Sequence, residues 1–305
     1  MELVLSRVAG PCYGVRRAVR MIEQHLARHG AGSVVSVGSV VDDPAVMQEL
    51  TGHGLVMVEG VEQIDSGQVV ALPICGGTPD LERLVEERGG VPLATVCPRL
   101  VRTKDLAYRL AIDGYPVLVV GGADAPDAMA ILDRAEAGWR EQIASLSQPY
   151  GRVFAGLLVE DGSVVKAEVP EDVAHVAVLL RPTGDFETYG GVVLAALDRF
   201  EEVRAYPSIC QSVRNRQTEA LRVADRCDTV LVVGKTAMNL DGFLHRMKEA
   251  GVRVVQLGSL DDVDDLDLSD VRALGVVSGC STLQSTLVVT VERLRKRLGG
   301  TLTTA

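Results

Sequence analysis

Short apolar runs that recur along this chain constrain its fold more than any other feature. They fall at 34–37, 69–72, 117–120, 176–180, 230–233, 252–257 and 274–277, most of them followed by a Gly-containing loop, and residues 1–5 read as a first strand. Runs of Val, Leu and Ile without polar alternation belong to strands buried on both faces, as in a parallel sheet. Helical periodicities lie between them, at 15–28, 81–88, 103–113, 128–137, 192–200, 215–226, 240–250 and 283–298. Strand followed by helix, repeated, predicts βα units with functional loops at the carboxyl ends of the strands. The expected class is α/β with mainly parallel sheets.

Cysteine placement sharpens that expectation. Cys12 lies in Gly10-Pro11-Cys12-Tyr13-Gly14, Cys97 in Val96-Cys97-Pro98-Arg99 and Cys210 in Ser208-Ile209-Cys210-Gln211, each just ahead of a helical pattern. A helix start offers unpaired N–H groups and a positive dipole end, which favour a thiolate and suit a metal ligand. No pair has Cys-x-x-Cys spacing, so a zinc ribbon or ferredoxin-like cluster is not expected, and a metal site has to be assembled from distant loops. Three loops with one cysteine each can converge on a single iron–sulfur cluster. They divide the chain into thirds, read as α/β domains at 1–94, 95–206 and 207–299 with a loose tail at 300–305; 144–149 and 160–165 are read as irregular excursions.

Composition excludes several classes. The 305 residues suffice for two or three domains with a sizeable core. A net charge of -10 does not attract nucleic acid or anionic membranes without a local basic patch. The acidic run 261–270 reads as a solvated turn. The N-terminus has no basic segment followed by an apolar one, and no apolar run approaches the roughly 18 to 20 residues that span a bilayer, so a cytoplasmic protein is expected. Neither G-x-G-x-x-G after a strand nor a P-loop occurs, and bound nucleotide is not expected.

With these residues in view the chain resembles the LytB/IspH family, the 4-hydroxy-3-methylbut-2-enyl diphosphate reductases of the isoprenoid pathway. The resemblance runs from Pro11-Cys12-Tyr13-Gly14-Val15-Arg16-Arg17-Ala18 through Cys97-Pro98 and Ile209-Cys210 to Ser278-Gly279-Cys280-Ser281, and Asn215-Arg216-Gln217 is its most specific piece. It implies three α/β domains arranged pseudo-threefold around a 4Fe-4S cluster, with Cys12, Cys97 and Cys210 as ligands. Three thiolates leave one iron open as a Lewis acid for reductive C–O cleavage. It also implies a ferredoxin or flavodoxin as electron donor, for which Arg16, Arg17 and Arg20 are docking candidates.

The departures from the family cluster in the substrate pocket. Gly38-Ser39-Val40-Val41-Asp42-Asp43 stands where relatives have a His-Glu-Val-Val-His-Asn-like segment, Ile74-Cys75-Gly76 where they have Ala-His-Gly, and Ala125-Pro126-Asp127 where they have His-Pro-Glu. The histidines that help hold a diphosphate are gone. Asp127 takes the place of the proton-relay Glu, or is a helix-start residue favouring the dipole. Thr183 falls in the family's Thr-Thr region. Asn239 and Ser281 keep diphosphate-binding positions, while Ala237 replaces a serine. Cys75 and Cys280 are either cluster or pocket thiols or small apolar fillers, and Cys227 reads as core. Arg181, Arg214 and Arg99 are either anion binders or surface charges.

The expectation is a LytB/IspH-type reductase acting on another allylic or similarly activated alcohol. The alternatives are the diphosphate reductase itself with an atypical pocket, an iron–sulfur electron carrier or redox sensor with Cys75 as fourth ligand, and a cluster-free protein that binds a small ligand.

Overall fold

A computed structural model describes residues 2–77, 80–145, 154–234, 244, 247–248, 251–258, 260, 262–299 and 301–304. The chain is α/β, and every strand pairing described among these residues is parallel. It falls into two compact units, Met1–Glu59 with Gln211–Ala305, and Gly60–Cys210. The thirds expected from the cysteine loops follow chain order. The compact units do not, because the first strand pairs with the last.

In the first unit β1 (Glu2–Leu5) lies between β12 (Ala273–Ser278) and β13 (Thr301–Thr304). With β10 (Thr229–Val233) and β11 (Arg253–Leu257) they form a five-stranded sheet in the order β11-β10-β12-β1-β13. Residues 301–304 are thus a strand rather than the expected tail: β-branched threonines pair with β1, Leu3 opposite Leu302. Successive residues point to opposite faces of the sheet. Leu3, Leu231, Val233 and Val276 enter one core, and Val4, Val230, Val232 and Val277 another. The first core is covered by α10 (Gln284–Leu298) through Leu287, Val291 and Leu294, the second by α8 (Gln211–Ala224) through Ala220 and Val223. Cys227 lies in the second core, as read from the sequence.

The same unit holds α1 (Tyr13–His29), which buries Val15, Ala18, Ile22 and Leu26 at three- and four-residue spacing and stops at Gly30, where φ is 91°. It also holds β2 (Val34–Val37) paired with β3 (Val56–Val58), and α2 (Pro44–Gly52). Residues 262–265 of the acidic run form a short helix, while 269–270 are the expected exposed turn. In α9 (Asp262–Asp265) Val263 is buried, and Asp264 accepts from Arg293 Nη1 at 3.1 Å.

In the second unit β4 (Val69–Ala71) pairs with β5 (Val91–Leu93), near α3 (Leu81–Glu87). A four-stranded sheet runs β7 (Gly156–Val159), β6 (Val117–Val120), β8 (His175–Leu180), β9 (Glu202–Tyr206). Its core joins Val117, Val119, Ala177 and Leu179 to Leu100, Ala107 and Leu110 of α4 (Pro98–Ile112) and to Ala128, Ile131 and Ala135 of α5 (Pro126–Ser145). Residues 162–165, expected to be irregular, open α6 (Gly162–Glu168), and α7 (Phe186–Leu197) starts at an Asp185 cap. The helix expected at 240–250 lies largely outside the described residues.

Candidate cluster and substrate site

Each chemistry-bearing residue placed by the structure follows the carboxyl end of a strand, and neighbouring parallel strands deliver their loops side by side. β1 and β12 are such neighbours, with Leu5 opposite Val276. Beyond them the Cys12 main-chain N–H donates to the Cys280 carbonyl at 2.8 Å. Cys12 caps α1, its sulfur accepting from the Val15 N–H at 3.5 Å. The Cys280 thiol hydrogen-bonds that sulfur and is the main reason the Cys12 thiol is brought down to about 6; burial opposes it, and the Val15 N–H and the Arg216 charge assist.

Asn215-Arg216-Gln217 acquires a structural reason here. Arg216 is buried on α8 and donates to the Gly10 carbonyl at 2.5 Å and to the Ser278 carbonyl at 3.5 Å, while the Gly10 N–H donates to Ser278 Oγ at 2.8 Å. One guanidinium therefore holds both loops that carry Cys12 and Cys280. Its Nε is buried with no hydrogen-bond partner among the described residues. Glu219, one turn on and also buried, accepts from the Arg7 N–H at 3.2 Å and from Arg222 at 3.3 Å.

In the second unit the loops after β4 and β5 meet in the same way. The Cys97 N–H donates to the Ile74 carbonyl at 3.0 Å, which sets the Cys75 turn against the start of α4. Gly76, at φ 95°, lets that turn close on its neighbours; a Cβ there would stand 3.1 Å from Ala130 Cβ and from Leu100 Cδ2. Cys210, directly before α8, donates its N–H to the Pro182 carbonyl at 2.8 Å, and Arg99 Nε donates to the Ser208 carbonyl at 3.0 Å. Arg99 is thereby a tie between the Cys97 and Cys210 loops. Cys75, Cys97 and Cys210 are all half-buried.

Asp127, in the first turn of α5 after β6, and Arg181 and Thr183, on the loop after the adjacent strand β8, form one cluster. Asp127 is 3% exposed and accepts from Arg181 Nη1 at 2.9 Å, from the Thr183 hydroxyl at 2.8 Å and from the Thr183 N–H at 3.2 Å. Arg181 also donates to the Thr183 hydroxyl oxygen. The triad combines a buried charge pair with a hydroxyl that both accepts and donates.

Ser281 is half-buried next to Cys280, Arg214 is exposed on α8, and Asn239 lies outside the described residues. At the end of β2, Asp42 is exposed, whereas Asp43 is buried and caps α2 through the Ala45 and Val46 N–H groups at 3.0 and 3.4 Å. Burial pushes the Asp43 carboxyl up against those two bonds. The sequence reading assigned Arg216 no task. A cation in the interior-facing register of a helix was the available signal.

Among the described residues no three His, Cys, Asp or Glu side chains are gathered for a single metal ion. A cubane cluster asks for something else, one thiolate per iron. Cys12, Cys97 and Cys210 are each a single thiol before a helix, the kind of donor such a cluster takes, and beside Cys12 lies a buried guanidinium with an N–H that has no partner among the described residues.

Fold and site define a parallel α/β protein whose chemistry-bearing residues sit on strand-end loops. Residues 3–295 match the LytB protein family, and the chain belongs to that family. It is 29% identical over 297 residues to a 4-hydroxy-3-methylbut-2-enyl diphosphate reductase of Geobacter sulfurreducens, covering 97% of this chain and 98% of the relative. The reductase of that name from Bordetella bronchiseptica is 25% identical, covering 97% and 86%. Among solved structures, the E-1-hydroxy-2-methyl-but-2-enyl-4-diphosphate reductase of Plasmodium falciparum matches with a TM-score of 0.85 at 20% identity, over 99% of this chain and 91% of that one. A second, (E)-4-hydroxy-3-methyl-but-2-enyl diphosphate reductase, matches with a TM-score of 0.66 at 21% identity, over 97% and 99%. At that identity the likeness carries the fold. The relatives are reductases by name, and this chain is an oxidoreductase.

Proposed function

We propose that this protein is a 4Fe-4S reductase that removes a hydroxyl group from an allylic or similarly activated alcohol other than the usual hydroxymethylbutenyl diphosphate. The observation that carries the reading is the placement of Cys12, Cys97 and Cys210, each alone on a strand-end loop before a helix. When bound, the cluster supplies two electrons, one at a time, and a Lewis-acidic open iron for C–O cleavage.

The chain's own residues account for the rest. Arg216 holds the Cys12 loop, and Arg99 ties the Cys97 loop to the Cys210 loop. Proton delivery falls to Asp127 and Thr183, whose hydroxyl donates to Asp127 beside the Arg181 guanidinium. Cys75 joins Asp127 and Thr183 as a catalytic residue, and substrate contacts fall to Arg181, Ser281, Asn239 and Cys280. Arg181 is already committed to Asp127, so a doubly charged diphosphate finds little free cationic capacity there. Asp42 and Asp43, in the segment where relatives carry histidines, add repulsion. The donor is a ferredoxin- or flavodoxin-type protein docking near Arg16, Arg17 and Arg20, and the compartment is the cytoplasm. No described helix is long and apolar enough to cross a membrane.

Iron and acid-labile sulfide analysis with Mössbauer spectroscopy on anaerobically purified protein tests this, wild type against Cys75→Ser. Four irons with one distinct site in both proteins is the expected result. A distinct site only in Cys75→Ser would make Cys75 a fourth ligand and favour an electron carrier or sensor, and an iron-free protein would end the reading. Turnover of hydroxymethylbutenyl diphosphate at about 1 per second or faster would overturn the altered substrate.

A further inference from the structure

Cys280 is the thiol that the proposed chemistry leaves least explained. It belongs to neither of the two cores described on its sheet, is half-buried, and lies among Ser278, Gly279 and Ser281. A small apolar filler would sit where Cys227 sits, in the core, where burial pushes the thiol up to about 11 and leaves it inert. Cys280 instead faces a second cysteine.

The geometry holds the two residues side by side. β1 and β12 run parallel in register, so the chain segments leaving them are neighbours. The 2.8 Å bond from the Cys12 N–H to the Cys280 carbonyl joins the two residues directly, which keeps their Cα atoms inside the ~4.4–6.8 Å that a disulfide spans. The Cys280 thiol lies within hydrogen-bonding reach of the Cys12 sulfur. Arg216 fastens both loops in this arrangement through Gly10 and Ser278.

We propose that Cys12 and Cys280 form a reversible disulfide when no cluster is bound, a switch that withdraws Cys12 from cluster assembly under oxidising conditions. The oxidant is a low-molecular-weight disulfide. The Cys12 sulfur attacks it, breaking its S–S bond and releasing one thiol. The Cys280 sulfur then attacks the Cys12 sulfur, closing the protein disulfide and releasing the second thiol. Two protein thiols give up two electrons and two protons, and the oxidant becomes two thiols. Reduction by a dithiol reverses both steps, so Cys12 is spared irreversible over-oxidation. The bond itself does not depend on the iron–sulfur reading; its effect on cluster assembly does.

The test uses the full chain stripped of iron by chelation and incubated with oxidised glutathione. It is then alkylated, digested without reductant and analysed by mass spectrometry. The expected result is a Cys12–Cys280 linked peptide in most chains, lost on treatment with dithiothreitol, with iron and sulfide uptake blocked until that treatment. In Cys280→Ala, and in Cys280→Ser should alanine fold poorly by circular dichroism, Cys12 should carry glutathione instead. Recovery of wild-type Cys12 as its glutathione adduct, as a free thiol, or linked to Cys97 or Cys210 would overturn the proposal. A linked peptide in a chain that never takes up iron would leave the disulfide standing and remove the cluster reading; iron uptake without the linked peptide would do the reverse.

Discussion

Arg216 on α8 donates through Nη2 to the main-chain carbonyl of Gly10, two residues before Cys12. A helix more than two hundred residues downstream thus sets the backbone from which the first cysteine projects. Arg216→Ala leaves the Gly10 and Ser278 carbonyls without their buried donor, at about 1–3 kcal/mol for each group so exposed. The expected outcome is a loss of about 2–4 kcal/mol in denaturant unfolding of iron-free protein, together with lower iron content after reconstitution. Arg216→Lys should recover only part of both, because one ammonium does not reproduce the fork that reaches two carbonyls.

Asp127 binds Arg181 and both donors of Thr183. Asp127→Asn keeps the shape, removes the charge and strands a guanidinium that is 15% exposed. Stability should fall by about 3 kcal/mol, the usual cost of breaking a buried pair from one side. Thr183→Val should cost less, about 1 kcal/mol, while slowing turnover more than it weakens folding, if turnover and equilibrium unfolding are measured side by side.

Asp43 gives the pH dependence a sign. Its carboxyl is raised by burial, so the native state holds the proton more tightly than the unfolded chain does. The stability from the protonated form is fully present below the unfolded carboxyl value and is lost as pH rises through the raised native one. Asp43→Asn keeps an oxygen for the Ala45 and Val46 N–H groups without the buried charge. Unfolding curves across pH should show the variant more stable than wild type near neutrality, with the difference closing in acid. An unchanged difference across that range would contradict the assignment.

At Gly275 on β12 a side chain of α8 packs directly onto the sheet. A Cβ there would stand 2.3 Å from Val223 Cγ1, 3.2 Å from Val230 Cγ2 and 3.3 Å from Cys227 Sγ. A β-branched valine on a helix has little rotamer freedom with which to yield. Gly275→Ala should therefore destabilise by about 1–3 kcal/mol in thermal or denaturant unfolding. Adding Val223→Ala should return part of that loss, a coupling expected only for residues in contact.

Much of this was legible in the residues. The buried central strands β6, β8, β10 and β12 are read directly from their apolar runs, because both faces of such a strand demand apolar side chains. Apart from β11, the edge strands were not. β3, β5, β7, β9 and β13 each have a single partner among the described residues, and half-exposed segments such as Glu202–Tyr206 carry the polar residues of a loop. The acidic run 261–270 was read from its charge alone, although Val263 anchors a short helix within it.

The sequence by itself determined the α/β class, the family, and the loops on which Cys12, Cys75, Cys97, Cys210 and Cys280 stand. Periodicity and local motif carry that information along the chain, and no distant contact is needed to read it. Only the tertiary structure decided which loops meet. Cys12 lies against Cys280 because β1 pairs with β12; Asp127 lies against Arg181 and Thr183 because β6 pairs with β8; and Arg216 is buried because α8 covers the sheet that carries β12. Strand order is set by burying one shared core, a property of the whole chain that no local stretch of it encodes.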